Sequence, residues 1–439
     1  MSSVSLGLLP RLKPLGPRKS AILSVLDVGT SKVVCLVAEL TPAENGAGRL
    51  RTHVARVLGI GHQRSAGLKG GAVVDLEAAE GAIGQAVAAA ERMARVEIRS
   101  VIVNLSGGRL GSRHLSGEAH VGGGPIGADH VGRALAAAAA QLSPAKRAVL
   151  HAVPTGFALD AVGPMADPSG MVGEVLGVDL HVVTAEAAAV RNLMLAVERC
   201  HLGVEAVVAT PYASALAALA DDEAEMGAVV IDCGAGTTGV SVFSGGRVVR
   251  LDAVAVGGHH VTTDLARGLS CRIADAERLK VQHGAAVLSG SDEHESVAVP
   301  QVDEDERDVA AELPKAQLAR IVRPRVEEIL ELVRDRLKAA GFADAAGRRV
   351  VLTGGGSQLR GLPDLARTIL GGPVRVGRPL GLKGLPDAAK GPAFAAAAGL
   401  LVFPQAAGLE HHEPRAGLRV GTGTDGYISR VGRWIRESF

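Results

Sequence analysis

Apolar and polar residues alternate along "AILSVLDVGTSKVVCLVAEL" (21–40) on both sides of one Asp-x-Gly turn. That pattern predicts a strand, a tight turn and a second strand. The same texture returns in "GAVVIDCGAGTTGVSVFSGGRVV" (227–249). Further strands are predicted at "SVIVNLSG" (100–107) and "VEAVVAT" (204–210), and "RRVVLTGGGSQLRGL" (348–362) reads as a strand entering a glycine turn. Helical periodicity of about 3.6 residues marks 75–95, 185–200, 211–222, 261–282, 314–340 and a helix from about 363. Strands separated by helices predict an α/β fold.

Three stretches break this rhythm. Residues 108–182 carry a Gly-rich run, "GGGPIG" at 122–127, a helix near 129–141 and short strands such as "VLHAVPTGFALDA", and read as an inserted module. "SGSDEHESVAVPQVDEDERD" (289–308) is charged and reads as a loop. Residues 405–425, "QAAGLEHHEPRAGLRVGTGTD", are rich in glycine and charge without periodicity and read as a flexible linker.

Beyond that linker, "YISRVGRWIRESF" (427–439) is amphipathic if helical. At 100° per residue, Tyr427, Ile428, Val431, Trp434, Ile435 and Phe439 fall within one arc, facing Arg430, Arg433 and Arg436. An apolar stripe against a cationic face is the pattern of a helix lying in a membrane interface, and the lone tryptophan becomes its anchor. The arginines are offset by Asp425, Glu437 and the terminal carboxylate, so burial of the apolar side chains must dominate, at about 1.5–3 kcal/mol for each one fully buried.

Composition narrows the class. At 439 residues, 47% hydrophobic and 21% charged, the chain has room for two or more globular domains. A formal net charge of +1 gives no overall footprint for nucleic acid. Cys35, Cys200, Cys233 and Cys271 form no C-x-x-C pair, which argues against zinc or a disulfide framework and for a reducing cytosol. The pairs His259–His260 and His411–His412 lack partners at ligand spacing and read as solvated or structural. Residues 1–20 are basic but broken by Pro10, Pro14 and Pro17, without the apolar run of a signal peptide, and read as a disordered arm. No run of about 18 apolar residues, the length needed to span a bilayer, occurs.

The candidate chemistry lies in a short repeat. "LDVGTSKVV" (26–34) and "IDCGAGTTGV" (231–240) share apolar–Asp–x–Gly followed by hydroxyl residues. Such turns let successive backbone N–H groups converge on phosphate oxygens. Thr30, Ser31, Thr237 and Thr238 add hydroxyls, Lys32 a cation, and Asp27 and Asp232 are placed to hold Mg²⁺ through its waters. The two copies suggest a duplicated domain gripping one nucleotide, with Gly354, Gly355, Gly356 and Ser357 suited to a close approach to ribose and base. Glu277 and Lys280 share one helical face, as a nucleotide contact or as an ordinary i,i+3 surface pair. Neither G-x-x-x-x-G-K-[ST] nor a helix-opening G-x-G-x-x-G occurs, which removes the two commoner nucleotide folds.

This ordered set resembles the actin, sugar kinase and heat-shock ATPase superfamily. Within it, "VLHAVPTGFALD" (149–160), "VERCHLGVEAVV" (197–208), "VAVGGHHVTTDLARGL" (254–269), "DAERLKVQHG" (275–284) and "RVVLTGGGSQLRGLPDLA" (349–366) resemble the FtsA family of bacterial cell-division proteins. The resemblance covers about residues 21–404 and the terminal helix. It implies an α/β actin-like fold of duplicated ribonuclease H-like domains with an IC (SHS2) insertion. Subdomain IA would comprise 21–101 and 184–226, IC 102–183, IIA 227–260 and 346–404, and IIB 261–345. The arm (1–20), the linker (405–425) and the membrane-targeting helix (426–439) lie outside it.

The resemblance further implies ATP with Mg²⁺ in the cleft and at most weak hydrolysis. Asp27, Gly29, Thr30, Ser31 and Lys32 would form the first phosphate loop, and Asp232, Gly234, Ala235, Gly236, Thr237 and Thr238 the second. Glu277, Lys280 and Gly354 to Ser357 would face ribose and base. It implies head-to-tail self-association, recruitment of later division proteins through IC, and binding of the FtsZ C-terminal peptide through IIB, where Arg325 matches a basic residue of that surface. The place of action would be the cytoplasmic face of the inner membrane at the septum, on an anionic surface. Two departures stand out: Ala235 replaces the middle glycine of the family's Asp-x-Gly-Gly-Gly-Thr-Thr-Asp, and Gly239 its final aspartate. A sugar kinase would need a carboxylate base for which no motif is found. The insertion disfavours an MreB-type filament, and the linker with its terminal helix disfavours a PilM-type pilus adaptor.

Overall fold

The computed structural model describes residues 9–10, 12, 15–16, 18–43, 51–142, 146–290, 292–302, 308–342, 348–407 and 410. The expected membrane helix, with Ile428, Arg430, Val431, Arg433, Trp434, Ile435, Arg436 and Phe439, lies outside the described residues, as does most of the expected linker. Among the described residues no helix is long and apolar enough to cross a membrane.

Two sheets repeat one plan. In the first, Ala21–Val28, Lys32–Pro42 and His53–Arg64 form an antiparallel meander, and Ser100–Leu105 and Gly203–Ala209 add in parallel beside Ala21–Val28. In the second, Ala228–Cys233, Thr238–Ser244 and Arg247–Val254 form the meander, and Arg349–Thr353 and Val374–Val376 add in parallel beside Ala228–Cys233. The two five-strand orders are identical. In each lobe the Asp-x-Gly turn is the first hairpin of the meander, so the fold carries both turns to equivalent places.

The cores follow from the sequence pattern. Lys32–Pro42 is buried on both faces from Val33 to Ala38, as a central strand covered by helices must be. Leu76–Ala94, capped by Asp75, lays Ala79, Ile83, Ala86 and Ala90 on this sheet. It comes so close that a Cβ on Gly61 would stand 1.7 Å from the Ala86 carbonyl oxygen. Helix Ala395–Ala406 is almost wholly buried and crosses Thr210–Ala218, where Gly399 permits the approach.

The insertion is a separate sheet of Gly111–His120, Val175–Glu186, Arg147–Leu159 and Val162–Met165, backed by helix Ala128–Ala139 around its own core. Its start differs from the expected residue 102, because Ser100–Leu105 belongs to the first lobe's sheet. Its strands, expected to be short, run to 13 and 12 residues. The module rests on the second lobe through Ser112 Oγ to Leu251 O at 2.7 Å and His181 Nδ1 to Val248 O at 3.1 Å.

Four other expectations are corrected. The segment read as a charged loop at 289–308 contains the strand Ser296–Val302, paired with Asp308–Pro314. Val297 and Val299 alternate into the core there, a two-residue period masked by the flanking charges. The helix expected over 261–282 is two, Gly258–Gly268 and Ile273–His283. The arm over 1–20 is in part seated on the body: Leu9 and Leu12 pack against the main core, and Leu15 N–H donates to Pro404 O at 3.2 Å. Likewise, the last helix runs past the expected linker start to Ala406.

Candidate functional site

Between the lobes lies a cavity of about 650 Å³. It is lined by every residue expected at the two phosphate loops, by Glu277 and Lys280, and by Gly354, Gly355 and Gly356. Ser357 is not in the lining; it is buried and turns its hydroxyl to Gly354 O at 2.7 Å, closing the glycine turn from behind.

Each turn is built by its own backbone. Gly29 N–H donates to Lys32 O and Gly234 N–H to Thr237 O, both at 3.0 Å. The loops meet: a Cβ on Gly236 would stand 2.5 Å from Thr30 Oγ1 and 3.1 Å from Gly70 Cα. Thr30 Oγ1 already accepts from Gly71 N–H at 3.0 Å. Gly354, at φ +78°, brings the third glycine run against the second loop, where a Cβ would lie 2.2 Å from Asp232 Oδ1.

Asp27 and Asp232 are both buried at strand ends. Asn104, fully buried, donates to Asp27 Oδ1 at 2.5 Å and to Thr210 Oγ1 at 3.0 Å, and accepts from Val28 N–H at 2.7 Å. Ser214 Oγ donates to Asp232 Oδ2 at 2.6 Å. Burial raises the Asp27 carboxyl to about 6, helped by the charge of Asp232 and opposed by Lys32 and Asn104. Burial also raises Asp232, against Ser214 and Lys32. Lys32 is pushed down by burial, while both carboxylates pull it up, and its ammonium stands 4.8 Å from the centre of the Phe394 ring. Two buried carboxylates beside one ammonium leave a site short of positive charge.

Glu277 and Lys280 are an ion pair at 2.6 Å, but more than a surface pair. Lys280 Nζ also donates to Thr262 Oγ1 at 2.8 Å and Gly258 O at 3.1 Å, and Thr262 Oγ1 bonds Glu277 Oε2 at 2.5 Å. Burial raises the Glu277 carboxyl, but the bonds from Lys280 and Thr262 outweigh it and hold it low. Arg325 is not in the lining of this cavity; it is held by Asp264 at 2.7 and 3.3 Å and paired with Glu328. The bond to Asp264 holds its guanidinium above the usual arginine range.

Sequence reading missed Asn104, Thr210, Ser214 and Phe394, which act on the site from strands and helices far along the chain. It also missed Gly257 and Gly258. Gly258 N–H and His259 N–H cap the second loop at the carbonyls of Gly234 (2.9 Å) and Ala235 (2.8 Å). The glycine pair in "VGGHH" (256–260) was the available signal.

Two lobes of one strand order, with a cavity between their Asp-x-Gly turns, define a protein of the actin-like ATPase fold. Among solved structures, the PilM–PilN type IV pilus biogenesis complex matches with a TM-score of 0.61 at 19% identity, covering 87% of this chain and 98% of that one. MreB5 of Spiroplasma citri bound to AMPPNP matches at 0.52 and 15% identity, covering 88% and 96%. Residues 229–399 match the family model of cell division protein FtsA, and 107–184 that of the SHS2 domain inserted in FtsA. Cell division protein FtsA of Agrobacterium fabrum strain C58 is 53% identical over 98% of both chains. That of Escherichia coli strain K12 is 32% identical over 94% of this chain and 97% of its own. The chain belongs to the FtsA family of cell-division proteins.

Proposed function

We propose that this chain is an ATP-binding, self-associating adaptor that anchors FtsZ filaments to the cytoplasmic face of the inner membrane and recruits later division proteins through the inserted module. The observation that carries the reading is the pair of Asp-x-Gly turns opposed across one cavity, each starting from a buried carboxylate. The cradle fits a magnesium nucleotide: it is glycine-tight at Gly236 and Gly354 and deficient in cation charge at Asp27 and Asp232. Among the described residues no cluster of three or more His, Cys, Asp or Glu side chains gathers. The two carboxylates therefore offer Mg²⁺ a pair of contacts through water rather than a full ligand cage.

In this reading the backbone N–H groups of the two loops and Lys32 neutralise phosphate charge, and Gly354 to Gly356 admit ribose and base beside Glu277 and Lys280. Closing the lobes on a bound nucleotide is the conformational and assembly switch. The Phe394 face steadies Lys32. The region 261–345 takes the FtsZ C-terminal peptide, with Arg325 at its surface, and residues 426–439 dock as an amphipathic helix. One such helix binds reversibly, and an array of subunits binds far more firmly.

Co-sedimentation with anionic vesicles and FtsZ tests the reading. The full chain should carry FtsZ into the vesicle pellet, and a chain stopped at Gly426 should leave both in the supernatant. Equal pelleting of the two chains overturns the tail assignment.

A further inference from the structure

The N-terminal segment and the root of the C-terminal segment meet at one place on the first lobe. Leu9, Pro10 and Leu12 sit against Val149, Leu150, Ala206, Val207, Phe403 and Ala407. The remaining void is about 20 Å³, the space of about one water. Leu15 N–H reaches Pro404 O across the same junction.

Two buried histidines serve as posts. His53 is 3% exposed, and its backbone N–H donates to Gln405 Oε1 at 2.9 Å. Its Nε2 faces Lys19 O at 3.1 Å, and its Nδ1 faces Thr52 Oγ1 at 2.8 Å. A carbonyl only accepts, so Nε2 carries the proton and donates to Lys19. His53 thus holds the N-terminal segment with its ring and the C-terminal helix with its backbone. His151 is 1% exposed; its Nε2 accepts from Ala209 N–H at 2.9 Å, so its Nδ1–H donates to Glu410 Oε1 at 3.0 Å. Glu410 keeps only 15% of its side chain exposed. A carboxylate so enclosed on an irregular segment is retained only when it is bonded.

We propose that Leu9, Leu12, Leu15 and Lys19 form an intramolecular clasp: the Leu9 and Leu12 side chains fill an apolar groove and, with His53 and His151, fix the root of the C-terminal segment at 403–407 and at Glu410. The groove is a seat for a Leu-Pro-x-Leu segment, and its occupant is this chain's own. The 29 residues after Glu410 are thereby tethered at a defined point beside the inserted module's strand Arg147–Leu159. This inference stands apart from the nucleotide and membrane readings.

Hydrogen exchange on the full chain tests it. In Leu9→Asp/Leu12→Asp the amides of 403–410 should exchange at least about tenfold faster, with the sheet of the second lobe unchanged. Leu9→Met/Leu12→Met should keep the native protection. Coupling is reciprocal, so Glu410→Ala should speed exchange at Leu15 and Lys19. Unaltered exchange across 403–410 in the Asp variant overturns the clasp. Protection in the unsubstituted chain that fades on dilution overturns the assignment to the same molecule.

Discussion

The two Asp-x-Gly turns occupy equivalent places in the two lobes, yet they are built differently. At the first turn, a Cβ on Gly29 would meet only Lys32 O, at 3.0 Å. At the second, Gly234, Gly236 and the neighbouring Gly354 would each place a Cβ at 2.7 Å or less from another atom. Each turn supplies a carboxylate, Asp27 or Asp232, but the first adds the cation Lys32 while the second adds close backbone. Duplication gave the frame, and division of labour followed from which neighbours crowd each turn.

The sharpest break of that comparison is to fill both turns. Gly236→Leu should abolish nucleotide binding, a loss of at least about 100-fold (about 3 kcal/mol), because the side chain must displace Thr30 and the Gly70 backbone. Gly29→Ala should cost less than about fivefold, since one carbonyl must give by a few tenths of an ångström. Titration calorimetry with ATP and Mg²⁺ measures both. Equal losses would remove the distinction between the turns, and unchanged affinity in Gly236→Leu would sink the cleft assignment.

The supports of the two aspartates differ as well. Asn104 serves Asp27, Thr210 and the Val28 amide at once, whereas Ser214 is bonded to Asp232 alone. Asn104→Ala strands a buried amide and a buried carboxylate and should cost about 3 kcal/mol of stability; Ser214→Ala should cost about 1 kcal/mol. Urea unfolding gives both values, and a reversed order would mean that the second aspartate is the more tightly held.

Charge supplies the next test. Asp27 is raised in the folded state from 3.8 to about 6 by burial. The folded chain therefore holds that proton more tightly than the unfolded chain. Its contribution favours folding below about pH 4 and is lost as pH rises through 6, by about 3 kcal/mol in all. His181, pushed down to about 3 by burial and by His114, slopes the other way, gaining stability as pH rises from 3 to 6.5. The readout is thus the difference between the native chain and Asp27→Asn, measured without nucleotide between pH 4 and 7. The variant should gain relative stability as pH rises, and a flat difference would mean that Asp27 is solvated.

Much of this was legible in the chain. Both turns, the Gly354 run and the strands that carry them follow from local residue type and period, and each lies where local pattern placed it; the strand His53–Arg64 and the break between Gly268 and Ile273 do not. Asn104, Thr210, Ser214 and Phe394 carry no local signal; "SVIVNLSG" reads as a buried strand whichever polar residue interrupts it. Their roles arise when parallel pairing sets Val25 against Ile102 and Gly203–Ala209 beside them. The hairpin at Ser296–Pro314 was hidden because charge density outweighed two alternating valines. The clasp was hidden because prolines and basic residues surround Leu9 and Leu12, whose burial depends on a groove assembled from 149–152, 206–207 and 403–407.

The last tests concern the two departures from the family's second loop, of which the second is the smallest effect expected, and they too divide. Gly239 is fixed by tertiary packing: a Cβ there would stand 2.4 Å from Pro211 Cγ, on a helix of the first lobe. Restoring the family residue with Gly239→Asp should therefore cost about 1–3 kcal/mol of stability. Ala235 has no such lock. Its φ is not positive, so an L-residue sits there without strain, and its carbonyl is already bonded to His259 N–H. Ala235→Gly should leave the loop closed and lower stability by only about 0.4–1 kcal/mol, through the greater freedom of the unfolded chain. ATP affinity should shift by less than about threefold, because the loop's hydrogen bonds are made by backbone groups that the methyl does not touch. Thermal unfolding and calorimetry on the two variants read these differences. A tenfold tighter grip on ATP in Ala235→Gly would show that the methyl holds the second loop off the phosphate, and that the second turn, for all its glycine, is the looser of the two.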